Sequence, residues 1–348
     1  MFLIDKYRPT KIKDAYFHKD LLHTLEIISK NNNMPHIIFY GPIGSGKRTI
    51  INMFLEMIYD EGVHDTKDTL YQIVSSGNKK TDVKVKQSNY HIVIEPQNNN
   101  FDKYLIQNIV KEYAKRQSFG IFKTNKPHRV VLINNIDNMS YYAQTSLRRT
   151  MEIYSDKCRF IMWCKSLSRV IAPLRNSRCI AMRIPAPSND ELFKYAFQIA
   201  YKEKINLTLK QYNEIIALSS GNIKKTLWYL QFAKYGYNTE TNYIQTIKKL
   251  IDLIMQAKLE NVQIIRNMLY SVMITNYDET TILRDVIEEL CLHPDLSEKI
   301  KYEIVKCGGK VDYHMVKGRR QMLQFDAFII STIKIINDEK INTVKNIN

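Results

Sequence analysis

The run Gly41-Pro42-Ile43-Gly44-Ser45-Gly46-Lys47-Arg48 satisfies the phosphate-loop pattern GxxxxGK[ST] at every fixed position except the last. Each residue type in that pattern has a physical task. Glycines let backbone N–H groups close around phosphate, the lysine meets the β/γ-phosphate charge, and the final hydroxyl ligates Mg²⁺. Here Arg48 stands where the hydroxyl should be. A guanidinium only donates and repels a divalent cation. The loop is therefore expected to hold a nucleotide, through Gly41, Gly44, Ser45, Gly46, Lys47, Arg48 and Thr49, and to hydrolyse it poorly. The flanks fit the same arrangement: His36-Ile37-Ile38-Phe39-Tyr40 is a short β-prone run, and residues 48–58 follow with helical spacing of apolar residues. Strand, glycine loop and helix in that order point a helix N-terminus at phosphate. A glycine turn ahead of an ordinary helix is the plainer alternative.

The same alternation continues through the first half. Strands are expected at 36–40, 70–75, 90–95, 128–134 and 158–163, and helices at 19–31, 47–59, 102–118 and 140–154. This predicts a parallel, doubly wound α/β sheet covered on both faces. The lysine-rich stretch Gly77 to Gln87 is read as an exposed excursion. Pro185 and Pro187 mark a boundary, after which Ser188-Asn189-Asp190-Glu191 and Thr208-Leu209-Lys210-Gln211 read as capping boxes opening two helices. From 240 to 336 the pattern stays helical, interrupted only at Gly308-Gly309. Three domains follow: residues 1–185, 186–238 and 239–348.

A net charge of +16 over 348 residues points to a polyanionic partner, nucleic acid before a membrane surface, although AT-rich coding also favours lysine. The five cysteines show no CxxC pair and no metal spacing, and the histidines show no ligand spacing, so no metal site is expected and a reducing, intracellular setting fits. The N-terminal apolar run is too short for a signal peptide, and no stretch has the length of a membrane span. The 22 tyrosines are scattered, which favours core and surface filling over base stacking.

Four runs taken together resemble one family: Asp5-Lys6-Tyr7-Arg8-Pro9, Met34-Pro35-His36, Leu147-Arg148-Arg149-Thr150-Met151-Glu152, and Ser177-Arg178-Cys179 followed by Ile184-Pro185-Ala186-Pro187-Ser188. They look like the small subunits of replication factor C, the AAA+ sliding-clamp loader. The resemblance carries from Asp5 to the region of Leu230. It extends more weakly to Gln324-Phe325-Asp326-Ala327-Phe328, which looks like part of the family's collar. Within the family the chain is similar to the small subunit with a degenerate nucleotide site, where the loop reads G-x-G-K-basic-T and Ser-Asn-Tyr-His (Ser88 to His91) precedes the third sheet segment.

The resemblance implies an AAA+ RecA-like parallel-sheet domain, a small helical lid and an all-α collar used for oligomerisation. It places Arg8 and Pro9 on the adenine side. It sets Asn134 and Asn135 where the family has the Asp-Glu pair of its second nucleotide motif, Lys165 at the sensor-1 asparagine, and Lys224, in Gly221-Asn222-Ile223-Lys224-Lys225, at the sensor-2 arginine. An asparagine amide cannot accept a proton from water, and losing a general base typically costs about 10²–10⁴-fold in rate. Asp137 is read as a loop or helix-entry carboxylate. Were it the motif's acid in a shifted register, no glutamate would follow it.

The same resemblance makes Arg178 an arginine finger acting in trans on a neighbour's γ-phosphate. Asn176 looks like a one-residue insertion just ahead of it. Lys103, Lys111, Arg148 and Arg149 are the candidate contacts to DNA phosphates, and Arg148 and Arg149 serve equally well at a subunit interface.

The function so implied is that of a clamp-loader subunit. It would assemble with other replication factor C-like subunits into a hetero-oligomer, a pentamer, that contacts a sliding clamp and primer–template DNA, without a membrane. It would keep ATP or ADP in its own loop, and it would work in the nucleus or at a viral replication site. An autonomous AAA+ DNA-dependent ATPase or helicase is the rival. It requires the Mg²⁺ hydroxyl and the catalytic glutamate, which the sequence lacks. A scaffold without nucleotide would not need Gly46-Lys47, and a small-molecule kinase would not need the runs at 5–9 and 177–179.

Overall fold

The protein is described by a computed structural model, which covers residues 1–348 apart from 32, 60, 75–79, 97–101, 116–127, 238–241, 276, 319 and 348. It forms two compact units, Met1–Tyr237 and Asn238–Asn348.

The first unit runs α1 (Leu3–Lys6), α2 (Lys19–Lys30), β1 (His36–Tyr40), α3 (Lys47–Tyr59), β2 (Lys67–Val74), β3 (Lys80–Gln87) and β4 (His91–Ile94). It continues with α4 (Asp102–Leu105), α5 (Lys111–Lys115), β5 (Arg129–Ile133), α6 (Tyr141–Ile153), β6 (Cys158–Cys164) and β7 (Cys179–Arg183), then α7 (Asn189–Glu203), α8 (Leu209–Ser219) and α9 (Ile223–Lys234). The strands form one sheet in the order β2-β3-β4-β5-β6-β1-β7.

From β4 to β7 the neighbours are parallel, and β1 lies between β6 and β7. Successive residues of a strand face opposite sides, so the central strands must be apolar on both. Ile37, Phe39, Val130, Leu132 and Ile161 pack with Leu22 and Leu25 of α2 and Ile51, Phe54 and Leu55 of α3. Ile38, Val131, Ile133, Phe160 and Met162 pack on the other face with Leu105, Ile109, Val110, Ala143 and Leu147. That two-sided burial is why these strands read as unbroken apolar runs.

Four expectations need correction. The sheet is not parallel throughout, because β2 and β3 pair antiparallel and β3 pairs antiparallel with β4. The supposed excursion at 77–87 is largely β3: Val83 and Val85 turn inward while Lys80, Asp82, Lys84 and Lys86 lie on the exposed side, so the polar half of an alternating strand masked the apolar half. Strand β7 was not expected; its exposed Ile180, Ala181 and Arg183 weaken any apolar signal. The helix expected over 102–118 is α4 and α5 joined by a π-helical turn, Ile106–Val110, and its last residues fall outside those described. The run Ser88 to His91 forms a turn into the fourth strand, with Ser88 Oγ 2.7 Å from His91 Nδ1.

Helices α7, α8 and α9 bury Ala196, Ile199, Tyr212, Ile215, Leu227 and Leu230 around Leu3 of α1. Both expected capping boxes are present, Ser188 with Glu191 and Thr208 with Gln211, and each satisfies orphan N–H groups of a first helical turn.

The second unit contains α10 (Asn242–Met255), α11 (Asn261–Ile274), α12 (Glu279–Leu292), α13 (Glu298–Lys317) and α14 (Gln321–Ile347). Ile254, Ile265, Leu290, Ile304, Phe325 and Phe328 share its core. Gly308 has a packing reason inside α13: a Cβ there would lie 2.3 Å from Ile287 Cδ1 and 3.7 Å from the Phe328 ring. Among the described residues no helix is long and apolar enough to cross a membrane, and all five cysteines are free thiols.

Candidate nucleotide site and arginine cluster

The loop after β1 is held open by its glycines and closed over from above by α9. Gly44 and Gly46 have φ of +80° and +90°, a region that side chains with a Cβ rarely enter. A Cβ on Gly44 would also fall 1.9 Å from the Asn222 side chain, which caps α9 by accepting the Lys225 N–H at 3.1 Å. The next residue, Ile223, donates its backbone N–H to Gly44 O at 3.2 Å. Ser45 is buried, and His18 Nε2 lies 3.2 Å from Ser45 O.

Lys47, the first residue of α3, is also buried and donates to Gly41 O at 2.8 Å and Pro42 O at 2.6 Å. Burial lowers its pKa and exposed Lys165 lowers it further, against Cys164 and Asp137. Burial pushes the Cys164 thiol itself up to about 12, so it stays a neutral thiol beside the ammonium. The cradle, the thirteen-residue helix that starts at Lys47 and its cation suit a phosphate chain.

They do not suit Mg²⁺, which demands near-octahedral oxygen donors. Arg48 is exposed at the hydroxyl position, with half-buried Thr49 behind it. Partial burial and the nearby Arg48 guanidinium lower the Arg8 pKa, so two cations meet on this side of the loop, next to half-buried Pro9.

At the end of β5, Asn134 is buried; its Oδ1 accepts the Trp163 indole N–H at 2.8 Å and its Nδ2 donates to Glu95 Oε1 at 2.7 Å. Asn135 follows in the left-handed region at φ +49°, with its Oδ1 buried and unbonded. Asp137 sits in a 3₁₀ turn, and its Oδ2 accepts the backbone N–H groups of Lys165 at 3.0 Å and Ser166 at 3.3 Å. This carboxylate fastens the β6 exit to the β5 exit, as a loop carboxylate would. Glu95 and Trp163 were not anticipated. Glu95 was legible as a carboxylate ending a strand, whereas Trp163 looked like ordinary strand filling.

A second cluster gathers at the far end of α6. Arg178 donates Nε at 3.1 Å and Nη2 at 2.8 Å to Glu152 Oε1, and Arg148 Nε reaches the same oxygen at 3.0 Å. Hydrogen bonds and charge from Arg148 and then Arg178 hold the Glu152 carboxyl below its ordinary range. Residues Pro173–Arg178 form a π-helical turn closed by the Cys179 N–H on Leu174 O. Asn176 lies inside this turn, which ends where the chain enters β7.

The remaining candidates are spread out. Exposed Lys103 and Lys111 lie on α4 and α5, exposed Arg149 on α6, and exposed Lys224 on the first turn of α9. The run at 5–9 has a visible structural task. Lys6 Nζ and Tyr7 Oη each lie 2.6 Å from Glu203 Oε1, Lys234 Nζ reaches Oε2 at 2.7 Å, and Leu3 N–H donates to Gln231 Oε1 at 2.8 Å. Hydrogen bonds from Lys234, Lys6 and Tyr7 draw the Glu203 carboxyl down to about 2. Among the described residues no three His, Cys, Asp or Glu side chains gather as a metal site.

Known proteins place this geometry. A family model described as DNA polymerase III, delta subunit, matches residues 17–188. A protein of Acanthamoeba polyphaga mimivirus assigned as a replication factor C small subunit is 35% identical, over 98% of this chain and 93% of its own length. Replication factor C subunit 5 of Saccharomyces cerevisiae is 31% identical, over 94% of this chain and 97% of its own. A DNA polymerase III gamma subunit-related protein from Thermotoga maritima shares the fold, with a TM-score of 0.52 at 12% identity over 90% of this chain and 99% of that one. The chain belongs to the replication factor C family of AAA+ proteins.

Proposed function

We propose that this protein is a small subunit of a replication factor C-like clamp loader that binds nucleotide without hydrolysing it and lends Arg178 to a neighbouring subunit's site. The observation that carries this reading is the donor set around Lys47: a phosphate cradle and a cation, with arginine in place of the hydroxyl and asparagines in place of the acids.

Residues 1–185 act as the nucleotide-binding domain, 186–238 as a lid resting on the loop through Ile223, and 239–348 as a collar joining neighbours. ATP or ADP is held by the loop, with its phosphates at Gly44, Gly46 and Lys47, its charge also met by Arg48 and Lys165, and its base on the Arg8–Pro9 side. The nucleotide supplies a fixed polyanion that ties the lid to the sheet; the chain orients it and provides no proton acceptor at the end of β5. Arg178 stabilises charge developing on a neighbour's phosphoryl group. Lys103, Lys111, Arg148 and Arg149 meet DNA phosphates, which positions the duplex without reading sequence. The partners are other replication factor C-like subunits, a sliding clamp and primer–template DNA.

In the assembled complex, Arg178→Ala is expected to slow single-turnover hydrolysis at the adjoining site by at least about 10³-fold. An unchanged rate removes the finger role. Glu95, a carboxylate bonded to Asn134, favours the rival reading of an autonomous ATPase. That reading requires isolated-chain turnover abolished by Glu95→Gln.

A further inference from the structure

Helices α7 and α8 carry an apolar surface that neither the nucleotide loop nor the Arg178 cluster uses. On α7, Phe193, Phe197 and Tyr201 recur every fourth residue and so lie along one side of the helix. Phe197 is 53% exposed and Tyr201 80%, and Leu209, the first residue of α8, is 70% exposed. Single exposed apolar side chains are ordinary, but these are joined. Tyr212, buried on α8, meets the Phe193 ring at 5.6 Å and the Phe197 ring at 6.0 Å between centroids. Tyr201 lies one helical turn beyond Phe197, and Leu209 about one turn before Tyr212. Both helices open on capping boxes, so the platform sits on ordered elements and loses less freedom on binding.

The charge beside this surface is one-sided. From Tyr201 to Lys210 the chain carries exposed Lys202, Lys204 and Lys210 against a single acid. That acid, Glu203, is turned away to Lys6, Tyr7 and Lys234. A second copy of the chain would set lysine against lysine here, so the partner is acidic.

The area limits its size. Large side chains present about 150–250 Å² each, so the exposed parts of Phe197, Tyr201 and Leu209 amount to on the order of 400 Å². Stable globular interfaces bury about 800 Å² per partner. A patch near half that size suits a short amphipathic segment, which reads such a surface through apolar side chains one turn apart. A nucleic acid strand would instead need open ring faces to stack on. Here the Phe197 and Tyr212 rings lean on each other at 50°, and Leu209 has no ring.

We propose that the α7–α8 face docks an acidic amphipathic helix of a partner protein. Its apolar side chains rest on Phe197, Tyr201 and Leu209, and its carboxylates face Lys202, Lys204 and Lys210. Docking there needs neither bound nucleotide nor Arg178.

The test uses the full-length chain and a fluorescein-labelled helical peptide of about five turns, with leucines along one face and glutamates on the other. The same peptide with lysine in place of glutamate is its control. Anisotropy titration is expected to saturate in the micromolar range with the glutamate peptide, and the lysine peptide should bind at least about tenfold more weakly. Phe197→Ser combined with Tyr201→Ser should weaken the glutamate peptide at least about tenfold, with the denaturant midpoint unchanged because both side chains are exposed. Lys202→Glu combined with Lys210→Glu leaves the rings in place and should reverse the order of the two peptides.

Equal affinity for the two peptides, binding unchanged in both double variants, or no saturable binding overturns the inference. Tight binding of a labelled oligothymidylate that is lost in Phe197→Ser with Tyr201→Ser also overturns it, and assigns the face to nucleic acid.

Discussion

Lys47 and Arg178 sit in the same unit and are held in opposite ways. Lys47 is buried against neutral groups, two carbonyl oxygens and a ring, so its charge is unneutralised by direct contact and the site is poised for an anion. Arg178 keeps 42% of its side chain exposed and is already paired, to a carboxylate it shares with Arg148. Exposed ion pairs of this kind are worth about 0–1 kcal/mol, so Glu152 can give Arg178 up to a more highly charged partner at little cost. The Lys47 cation lacks a contacting anion, whereas the Arg178 cation already has one. Under the proposed function, losing the hydroxyl and the acids from the Lys47 pocket would not disarm the whole subunit, because the arginine proposed to serve a neighbour lies in a different cluster.

That contrast can be broken at either end. Lys47→Ala removes the cation from the pocket. Since hydrogen bonds to charged groups contribute about 1.5–3 kcal/mol, ADP affinity in isothermal titration is expected to fall about 10- to 100-fold. A fall of less than threefold would mean the loop is not the phosphate site.

The next effect concerns the contacts that tie the N-terminal run to α7 and α9. Glu203 has a folded-state carboxyl pKa near 2 against an ordinary 4.5, so its contribution is fully present above pH 4.5 and is lost as pH falls through that interval towards 2. Glu203→Gln is expected to destabilise the first unit by about 1 kcal/mol near neutrality, measured by denaturant midpoint. The gap to wild type should close between pH 4.5 and 2, and a gap that stays constant with pH would assign the loss to packing.

Smallest is Glu152→Gln, which frees Arg178 from its carboxylate. Turnover at the neighbouring site is expected to rise about two- to fivefold in the assembled complex. A fall instead would make Glu152 a group that aims Arg178 rather than restrains it.

What was legible in the sequence followed from strong local rules. The β1–loop–α3 segment was readable because glycine spacing and a lysine have few other uses. The two capping boxes were readable because Ser188 with Glu191 and Thr208 with Gln211 satisfy helix-end donors wherever they occur. Strand β3 was hidden because its exposed face carries three lysines, and β7 because edge position leaves it half polar. The π turn at 173–178, which contains Asn176, was not legible because it is a matter of backbone geometry rather than of residue pattern.

The links among Lys47, Trp163, Asn134 and Glu95 were not legible either, since they join residues on four segments that only the sheet order brings together. The run at 5–9 carried the family signal, and part of its task turned out to be mechanical, through Lys6 and Tyr7 on Glu203.

The most direct measurement is ATP turnover by the isolated chain with Mg²⁺ present, alongside Lys47→Ala. The account predicts release of phosphate no faster than the uncatalysed background from either protein. Steady turnover by the wild type that disappears in Lys47→Ala would contradict it.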